Sequence, residues 1–132
     1  ETFLLTATIE AIVAQRLVRR ICVKCKEEYK PTEEQLMELQ LRSADIEGRT
    51  FFRGRGCEAC NHSGYRGRGA IFEIMKLDDT IRELIMAEAS TNVLREEAKK
   101  RGMRTLRESG LLTIFEGQST IDEVVRETIM DE

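Results

Sequence analysis

Two Cys-x-x-Cys pairs constrain the fold of this chain more than any other feature of its sequence. The pairs read CVKC at 22–25 and CEAC at 57–60. Two residues between paired cysteines allow a tight turn to aim both sulfurs at one point, and zinc accepts four thiolates in a tetrahedron. We therefore predict one structural zinc ion, with no coordination position left for water, bound by Cys22, Cys25, Cys57 and Cys60.

The alternatives to zinc are a disulfide or redox pair and unpaired core thiols. No secretory segment is visible at the start of the chain, so a reducing compartment and a metal are favoured. Gly54, Gly56 and Gly64 flank the second pair, as expected where backbone N–H groups approach sulfur closely or where φ must be positive. His62 follows the same pair, and we expect it to be exposed on the loop rather than a ligand.

Composition limits the classes of protein to which the chain can belong. Its 132 residues are 41% hydrophobic and 34% charged, with one proline, which predicts a globular domain rich in helices with solvated faces. A formal net charge of −3 argues against nucleic-acid binding through a chain-wide positive field. No apolar run reaches about 18 residues, so we expect membrane contact only through partners. The chain opens with Glu1 rather than Met, and we interpret it as a fragment of a longer protein.

Arginines accumulate around the second cysteine pair, where residues 49–68 contain five of them and one acid, Glu58. Three interpretations remain open: contact with phosphate or nucleic acid, an interface with a subunit or partner, and neutralisation of the charge of −2 that Zn²⁺ carries with four thiolates. The candidates for an interface are Arg53, Arg55, Arg66 and Arg68.

Apolar periodicity predicts a mainly α fold with a small antiparallel strand hairpin. Thr32-x-x-Gln35 has the pattern of a capping box, and Thr120 is placed to cap the last helix. Gly102 is a helix stop, and Gly110 interrupts or bends the third of four helices that follow Asp78. The predicted elements before Asp78 are a helix at 6–14, a strand at 15–22, a helix at 31–41, and strands at 50–53 and 69–77.

No catalytic arrangement stands out in the sequence. The acidic pairs, such as Glu27-Glu28 and Glu96-Glu97, are adjacent in sequence and point apart on a helix, so they are most simply solvated faces. The phosphate-binding pattern G-x-x-x-x-G-K-[ST] does not occur. We therefore predict that the chain has no catalytic activity of its own.

Four stretches of the sequence together resemble one family. They are TIEAIVAQRLVRRICVKC, GCEACNHSGYRGRGAIFEIM, DDTIRELI and AKKRGMRTLRESGLLTIFEGQSTIDEVVRET. In this order they are similar to the C-terminal end of the secretion superfamily ATPases, which include the assembly ATPases of type IV pili and the type II secretion ATPase. The resemblance runs from Thr6 to Thr128.

The resemblance implies a parent that is a RecA-like α/β P-loop ATPase, a homo-hexamer that binds ATP and Mg²⁺ through motifs preceding Glu1. It implies a cytoplasmic location at the inner membrane, with an inner-membrane platform protein and cytoplasmic pilus or secretion components as partners, and no nucleic acid. The four-cysteine subdomain would be inserted between two strands. The implied domains are the end of the RecA-like core at 1–21, the zinc subdomain at 22–68, a returning core strand at 69–77 and a helical subdomain at 78–132.

Two other classes of protein remain as alternatives. A zinc-ribbon nucleic-acid binder is supported by the local arginines and opposed by the net acidity and the helical tail. A DnaJ-like chaperone zinc module is suggested by CEACNHSG, although one copy alone fits and CVKCKEEY does not match.

Overall fold

The computed structural model describes residues 8–129, which contain two two-stranded sheets and five α-helices. The strands are β1 (Ala11–Ile21), β2 (Lys26–Tyr29), β3 (Phe51–Gly54) and β4 (Tyr65–Lys76). The helices are α1 (Glu33–Glu38), α2 (Asp79–Met86), α3 (Thr91–Lys100), α4 (Leu106–Phe115) and α5 (Ile121–Thr128). Short 3₁₀ helices occupy Ser43–Ile46 and Glu58–Cys60.

The two long strands β1 and β4 pair with each other, and both cysteine pairs lie in the chain between them. The Cys22 N–H donates to the Gly64 carbonyl (3.0 Å), and the Leu77 N–H donates to the Glu10 carbonyl (2.9 Å), so the strands run antiparallel. The predicted strands at 15–22 and 69–77 are confirmed. The pairing places the start and end of the cysteine-bearing segment side by side.

The predicted helix at 6–14 is wrong over Ala11–Ala14, which belong to β1; its first residues, including Thr6, lie outside the described part of the chain. The apolar positions Ile9, Ile12 and Val13 fit a helical period, but a short run cannot distinguish the two periods. Ile12 and Val13 are β-branched and lie opposite a long partner strand, and this tertiary pairing decides the conformation.

Contacts divide the chain into two compact units, which are described separately. The first unit comprises Glu1–Gln15 and Phe72–Thr105. Its core is formed by Leu77, Ile81 and Ala98, with α2 and α3 packed around it. Asp78 and Ser90 cap these helices through hydrogen bonds from backbone N–H groups. The predicted stop at Gly102 is confirmed, since its φ is +100°.

The second unit comprises Arg16–Ile71 and Leu106–Glu132. Its buried side chains include Val18, Leu106, Ile114, Ile121 and Val124, contributed by β1, α4 and α5. Helix α4 runs through Gly110 without a break, so the predicted interruption is wrong. Gly110 is buried where α4 packs against α5. A Cβ at this position would lie 2.4 Å from Val124 Cγ1, so the two helices can pack this closely only because residue 110 has no side chain.

Within the second unit, β2 and β3 form a short antiparallel ribbon beside the cysteine pairs. The register pairs Lys26 with Gly54 and Tyr29 with Phe51. Thr32 and Gln35 make the predicted capping box at the start of α1, with 3.1 Å and 3.0 Å hydrogen bonds in the two directions. The ribbon extends directly from Cys25 and ends shortly before Cys57, so it fixes the separation of the two cysteine turns.

Candidate metal centre

The first cysteine turn begins where β1 ends. Cys22 is fully buried and Cys25 is nearly so, and the Cys25 N–H points back to the Cys22 carbonyl at 3.4 Å. Val23 and Lys24 occupy the tip of the turn and are exposed. The strand pairing therefore directs the two sulfurs inward and the two intervening side chains toward solvent.

The second cysteine turn contains a 3₁₀ helix, Glu58–Cys60, followed by two residues in the left-handed region. Asn61 and His62 have φ of 54° and 62°, and the His62 N–H donates to the Cys57 carbonyl at 2.8 Å. This reversal returns the chain to Gly64 and the start of β4. The His62 side chain is exposed on the loop and does not belong to the sulfur cluster.

The four cysteine sulfurs converge within 4.8 Å of one another. The Sγ–Sγ distances are 3.8 Å for Cys22 and Cys57, 3.9 Å for Cys25 and Cys60, and 3.8 Å for Cys57 and Cys60. A tetrahedron with sulfurs about 2.3 Å from a central zinc has edges of about 3.8 Å. The donor set and its spacing therefore fit a four-thiolate metal site, and all four thiols are free of disulfides.

Backbone N–H groups point at two of the sulfurs. Gly56 N lies 3.2 Å from Cys25 Sγ, while the N–H groups of Cys57 and Gly64 donate to Cys60 Sγ at 3.3 Å and 3.2 Å. Such hydrogen bonds stabilise thiolate and orient metal ligands. The contacts of Gly56 and Gly64 are those that the sequence predicted from the flanking glycines, whereas Gly54 N–H does not contact a sulfur and the Cys57 contact was not predicted.

The surroundings of Cys25 and Cys60 shift the pKa values of their two thiols in opposite directions. Burial raises the pKa of Cys25 to about 11, and thiol neighbours add to this although the Gly56 N–H opposes it. Burial also acts to raise the pKa of Cys60, but the N–H groups of Cys57 and Gly64 outweigh it and lower that pKa to about 6. Cys60 is thus prepared to be a thiolate at neutral pH, which is the form that binds metal.

Gly54 and Gly64 allow the backbones before and after the second cysteine turn to cross in close contact. A Cβ on Gly54 would lie 2.0 Å from the Gly64 oxygen, and one on Gly64 would lie 2.5 Å from the Gly54 oxygen. Gly64 also has φ of +83°. Both positions require glycine because the two backbones approach more closely than any side chain permits.

The four arginines predicted as interface candidates have different surroundings. Arg53 is paired with Glu27 (Nε to Oε2, 3.1 Å) and lies 5.0 Å from the Tyr29 ring. Arg55, Arg66 and Arg68 are exposed, and within residues 8–129 they make no ion pair. The structure therefore does not bring the four together as one free cluster.

Sequence reasoning missed a buried carboxylate that connects β1, the strand before the first cysteine turn, to the last helix. Glu123 on α5 is 2% exposed and accepts hydrogen bonds from the Arg19 backbone N–H (2.8 Å) and guanidinium (3.1 and 2.9 Å). Burial acts to raise the pKa of Glu123, but Arg19 outweighs it and the pKa is lowered. In the sequence, Glu123 stands three residues after the cap Thr120, where an acid is common for local reasons, so its position gives no signal of a long-range partner.

The same network includes an aromatic ring from β4. The Arg19 guanidinium carbon lies 4.1 Å from the centre of the Tyr65 ring, and the Tyr65 hydroxyl is 2.7 Å from Thr120 Oγ1. Thr120 in turn caps α5 by accepting from the Glu123 N–H at 3.1 Å, as predicted. Strand β1, strand β4 and helix α5 are thus linked beside the cysteine turns.

Among the helices of the described residues, none has both the length and the apolar character needed to cross a bilayer.

Comparison with known proteins then identifies the family. The family model described as type II/IV secretion system protein matches residues 1–126.

Curated relatives cover almost the whole chain. A type IV pilus assembly ATPase of Thermus thermophilus is 44% identical over 98% of this chain and 14% of its own length. One of Myxococcus xanthus is 42% identical over 99% of the chain and 23% of its own length. A type II secretion system protein E of Dickeya dadantii is 40% identical over 97% of the chain and 25% of its own length. The chain spans a quarter or less of these relatives, and it belongs to the family of type II/IV secretion system proteins.

Proposed function

We propose that the chain is the zinc-binding and helical C-terminal region of a hexameric cytoplasmic ATPase that powers type IV pilus assembly or type II protein secretion. The observation that carries this proposal is the four-sulfur cluster, positioned between two paired strands, in a chain that belongs to this family. Relatives named as pilus assembly ATPases and as type II secretion proteins support both systems equally.

The proposed metal is one zinc ion with a structural role. Cys22, Cys25, Cys57 and Cys60 would hold it, and four protein thiolates leave no position at which water could be activated. A bound metal would fix the two cysteine turns relative to each other, because the segment between them has few buried apolar side chains of its own. The N–H groups of Gly56 and Gly64 would stabilise the thiolates.

The proposed domain division places the end of a RecA-like core at 1–21 and its returning strand at 69–77. The zinc subdomain at 22–68 would be the insert between them, and a helical subdomain would follow at 78–132. In the longer protein, ATP and Mg²⁺ would be bound by segments other than this chain. The chain alone would then be a structural and interaction element without ATPase activity.

Exposed arginines on the zinc subdomain are proposed to contact acidic surfaces of partners. Arg55, Arg66 and Arg68 are available for this, whereas Arg53 would have to exchange its pairing with Glu27. The proposed partners are a neighbouring subunit of the homo-hexamer, the inner-membrane platform protein and cytoplasmic pilus or secretion components. Membrane contact would occur through these partners, and nucleic acid is not among the proposed ligands.

The test is a cysteine substitution in the full-length protein with a matched control in the same turn. C57S removes one proposed ligand, while A59S adds the same hydroxyl to an exposed position between Cys57 and Cys60. We expect C57S to lose the stoichiometric zinc measured by elemental analysis and to lose pilus assembly or secretion. A59S should retain both.

The outcomes separate the parts of the proposal. Full zinc content in C57S would refute the four-cysteine site. Normal pilus assembly and normal secretion in a zinc-free variant would refute the role of the site in the motor. ATP turnover by the purified 132-residue chain would contradict its assignment as a non-catalytic region.

A further inference from the structure

A groove lies beside the first cysteine turn in the second unit, with a volume of about 340 Å³. Its charged walls come from Arg20 on β1, Lys26 on β2 and Arg66 on β4. Gly117 and Gln118, which follow helix α4, form another side. Three strands and a helix terminus thus place three cations around one depression, although the cations are far apart in the sequence.

The cations of the groove are available for a ligand. Arg20, Lys26 and Arg66 are exposed, and none of them forms an ion pair within residues 8–129. Arg20 has a 3.4 Å contact with Gln118 Oε1, and the Lys26 ammonium lies 4.5 Å from the centre of the Phe52 ring. With Glu116 as the one acid of the lining, the groove carries 3 − 1 = +2 charges in a chain whose net charge is −3.

An apolar residue stands at the edge of this charged groove. Val23, at the tip of the Cys22–Cys25 turn, is 82% exposed, more than any other large hydrophobic side chain in the described part of the chain. The turn places it there because the flanking cysteines face inward. An exposed apolar side chain beside unpaired cations is the arrangement that binds an acidic peptide carrying an apolar residue.

We infer that this groove binds an acidic peptide segment of a protein partner, with carboxylates contacting Arg20, Lys26 and Arg66 and an apolar side chain contacting Val23. The inference rests on the proposed function in one respect, since it takes the partner to be a protein of the pilus or secretion machinery. The residues of the groove differ from the four arginines that the sequence analysis named as interface candidates. Of those four, only Arg66 lines the groove.

Three features favour a peptide over a polyphosphate or a lipid surface. Glu116 lies in the groove and would repel a phosphate backbone, whereas a peptide can place a donor group beside it. The Lys26 ammonium lies 4.5 Å from the centre of the Phe52 ring, so that face of the ring is closed to base stacking. The groove has three cations, whereas sites that bind anionic membranes typically have clusters of about four to eight Lys or Arg residues.

The test measures peptide binding by the zinc-loaded full chain with fluorescence anisotropy. The probe is a fluorescein-labelled peptide of six glutamates and two leucines, compared with peptides in which lysine replaces glutamate or serine replaces leucine. R20E/R66E reverses two charges in the groove. K100E/R104E is the matched control, because it reverses two exposed cations that form no ion pair within residues 8–129 and do not line the groove.

We expect the acidic peptide to bind and R20E/R66E to weaken its binding by about tenfold or more, with K100E/R104E within about twofold of the unsubstituted chain. R20Q/R66Q gives the same comparison with smaller charge changes, and unchanged zinc content and circular dichroism establish that each variant is folded. V23S should weaken the leucine peptide and leave the serine peptide unaffected.

Several outcomes would overturn the inference. Equal losses in R20E/R66E and K100E/R104E would reduce it to non-specific charge attraction. Tighter binding of a single-stranded oligonucleotide or of phosphatidylglycerol vesicles than of the acidic peptide would assign the groove to another ligand. Absence of peptide binding would remove it altogether. These results are read from peptide binding, and the proposed function is tested by the zinc content and activity of cysteine variants, so the two failures are distinguishable.

Discussion

Replacement of Gly64 by alanine tests how closely the backbones on either side of the second cysteine turn must approach. Gly64 has φ of +83°, and a Cβ there would lie 2.5 Å from the Gly54 oxygen. The positive φ costs an L-residue about 1–2 kcal/mol. The overlap adds a further 1–3 kcal/mol, roughly, because it can be relieved only by moving the backbone.

The matched control is G48A, in the same compact unit. Gly48 has φ of +79°, almost the same as Gly64, but a Cβ there has nothing within 4 Å. G48A should therefore cost only the conformational term of about 1 kcal/mol or slightly more. The difference between the two variants isolates the close approach of the backbones.

Both zinc affinity and stability should report this difference. Moving Gly64 also displaces its N–H from Cys60 Sγ. Because 1.4 kcal/mol corresponds to a factor of ten in affinity, G64A should lower zinc affinity by about tenfold or more. Competition with a chromophoric chelator measures the affinity, and urea denaturation measures the stability of the metal-loaded protein. Equal shifts in G64A and G48A in both measurements would refute the reasoning.

Two further predictions concern α4 and α5. E123Q should destabilise the protein by about 2 kcal/mol at pH 7, because a charged network with Arg19 is lost. Folding lowers the pKa of Glu123. The contribution of the network to stability is therefore present above the unfolded-state pKa of about 4.3 and is lost as pH falls through the folded-state pKa. Urea titrations should thus converge for the two proteins toward low pH, and a constant difference would count against the network. G110A should destabilise the protein by about 1–2 kcal/mol despite the higher helix propensity of alanine, because its Cβ overlaps Val124. A higher melting temperature for G110A in thermal denaturation would contradict this.

Local chemistry made part of the structure predictable. Cys-x-x-Cys turns, the Thr32 capping box and the Gly102 stop depend on residues within a few positions of one another, and each is found where the sequence placed it. The convergence of the two cysteine pairs also followed from chemistry, since one tetrahedral ion explains four thiols better than two separate turns do.

Long-range partners were not readable from the sequence. The strand character of Ala11–Ala14 comes from pairing with β4, and the unbroken course of α4 through Gly110 comes from packing against Val124. Arg53 looked like a free interface residue until the β2–β3 register placed it opposite Glu27. Each of these outcomes is decided by a residue that is distant along the chain, which a local pattern does not specify.

The position of α4 and α5 is the clearest case of this limit. Their apolar periodicity predicted helices but not their partners. In the structure, Phe115 packs edge-to-face against Phe51 with ring centres 5.9 Å apart, and Gln35 Nε2 donates to Asp122 at 3.2 Å. These contacts join the two helices to the cysteine-bearing part of the same unit, so α4 and α5 help to stabilise the surroundings of the candidate metal site.

The central claim is that one zinc ion is held by four thiolates, and X-ray absorption at the zinc edge of the purified protein tests it most directly. Extended fine structure reports the number and kind of atoms around the metal. The account predicts four sulfur neighbours at about 2.3 Å and no lighter ligand. A first shell containing nitrogen or oxygen at about 2.0–2.1 Å, or protein purified under reducing conditions without zinc, would contradict it.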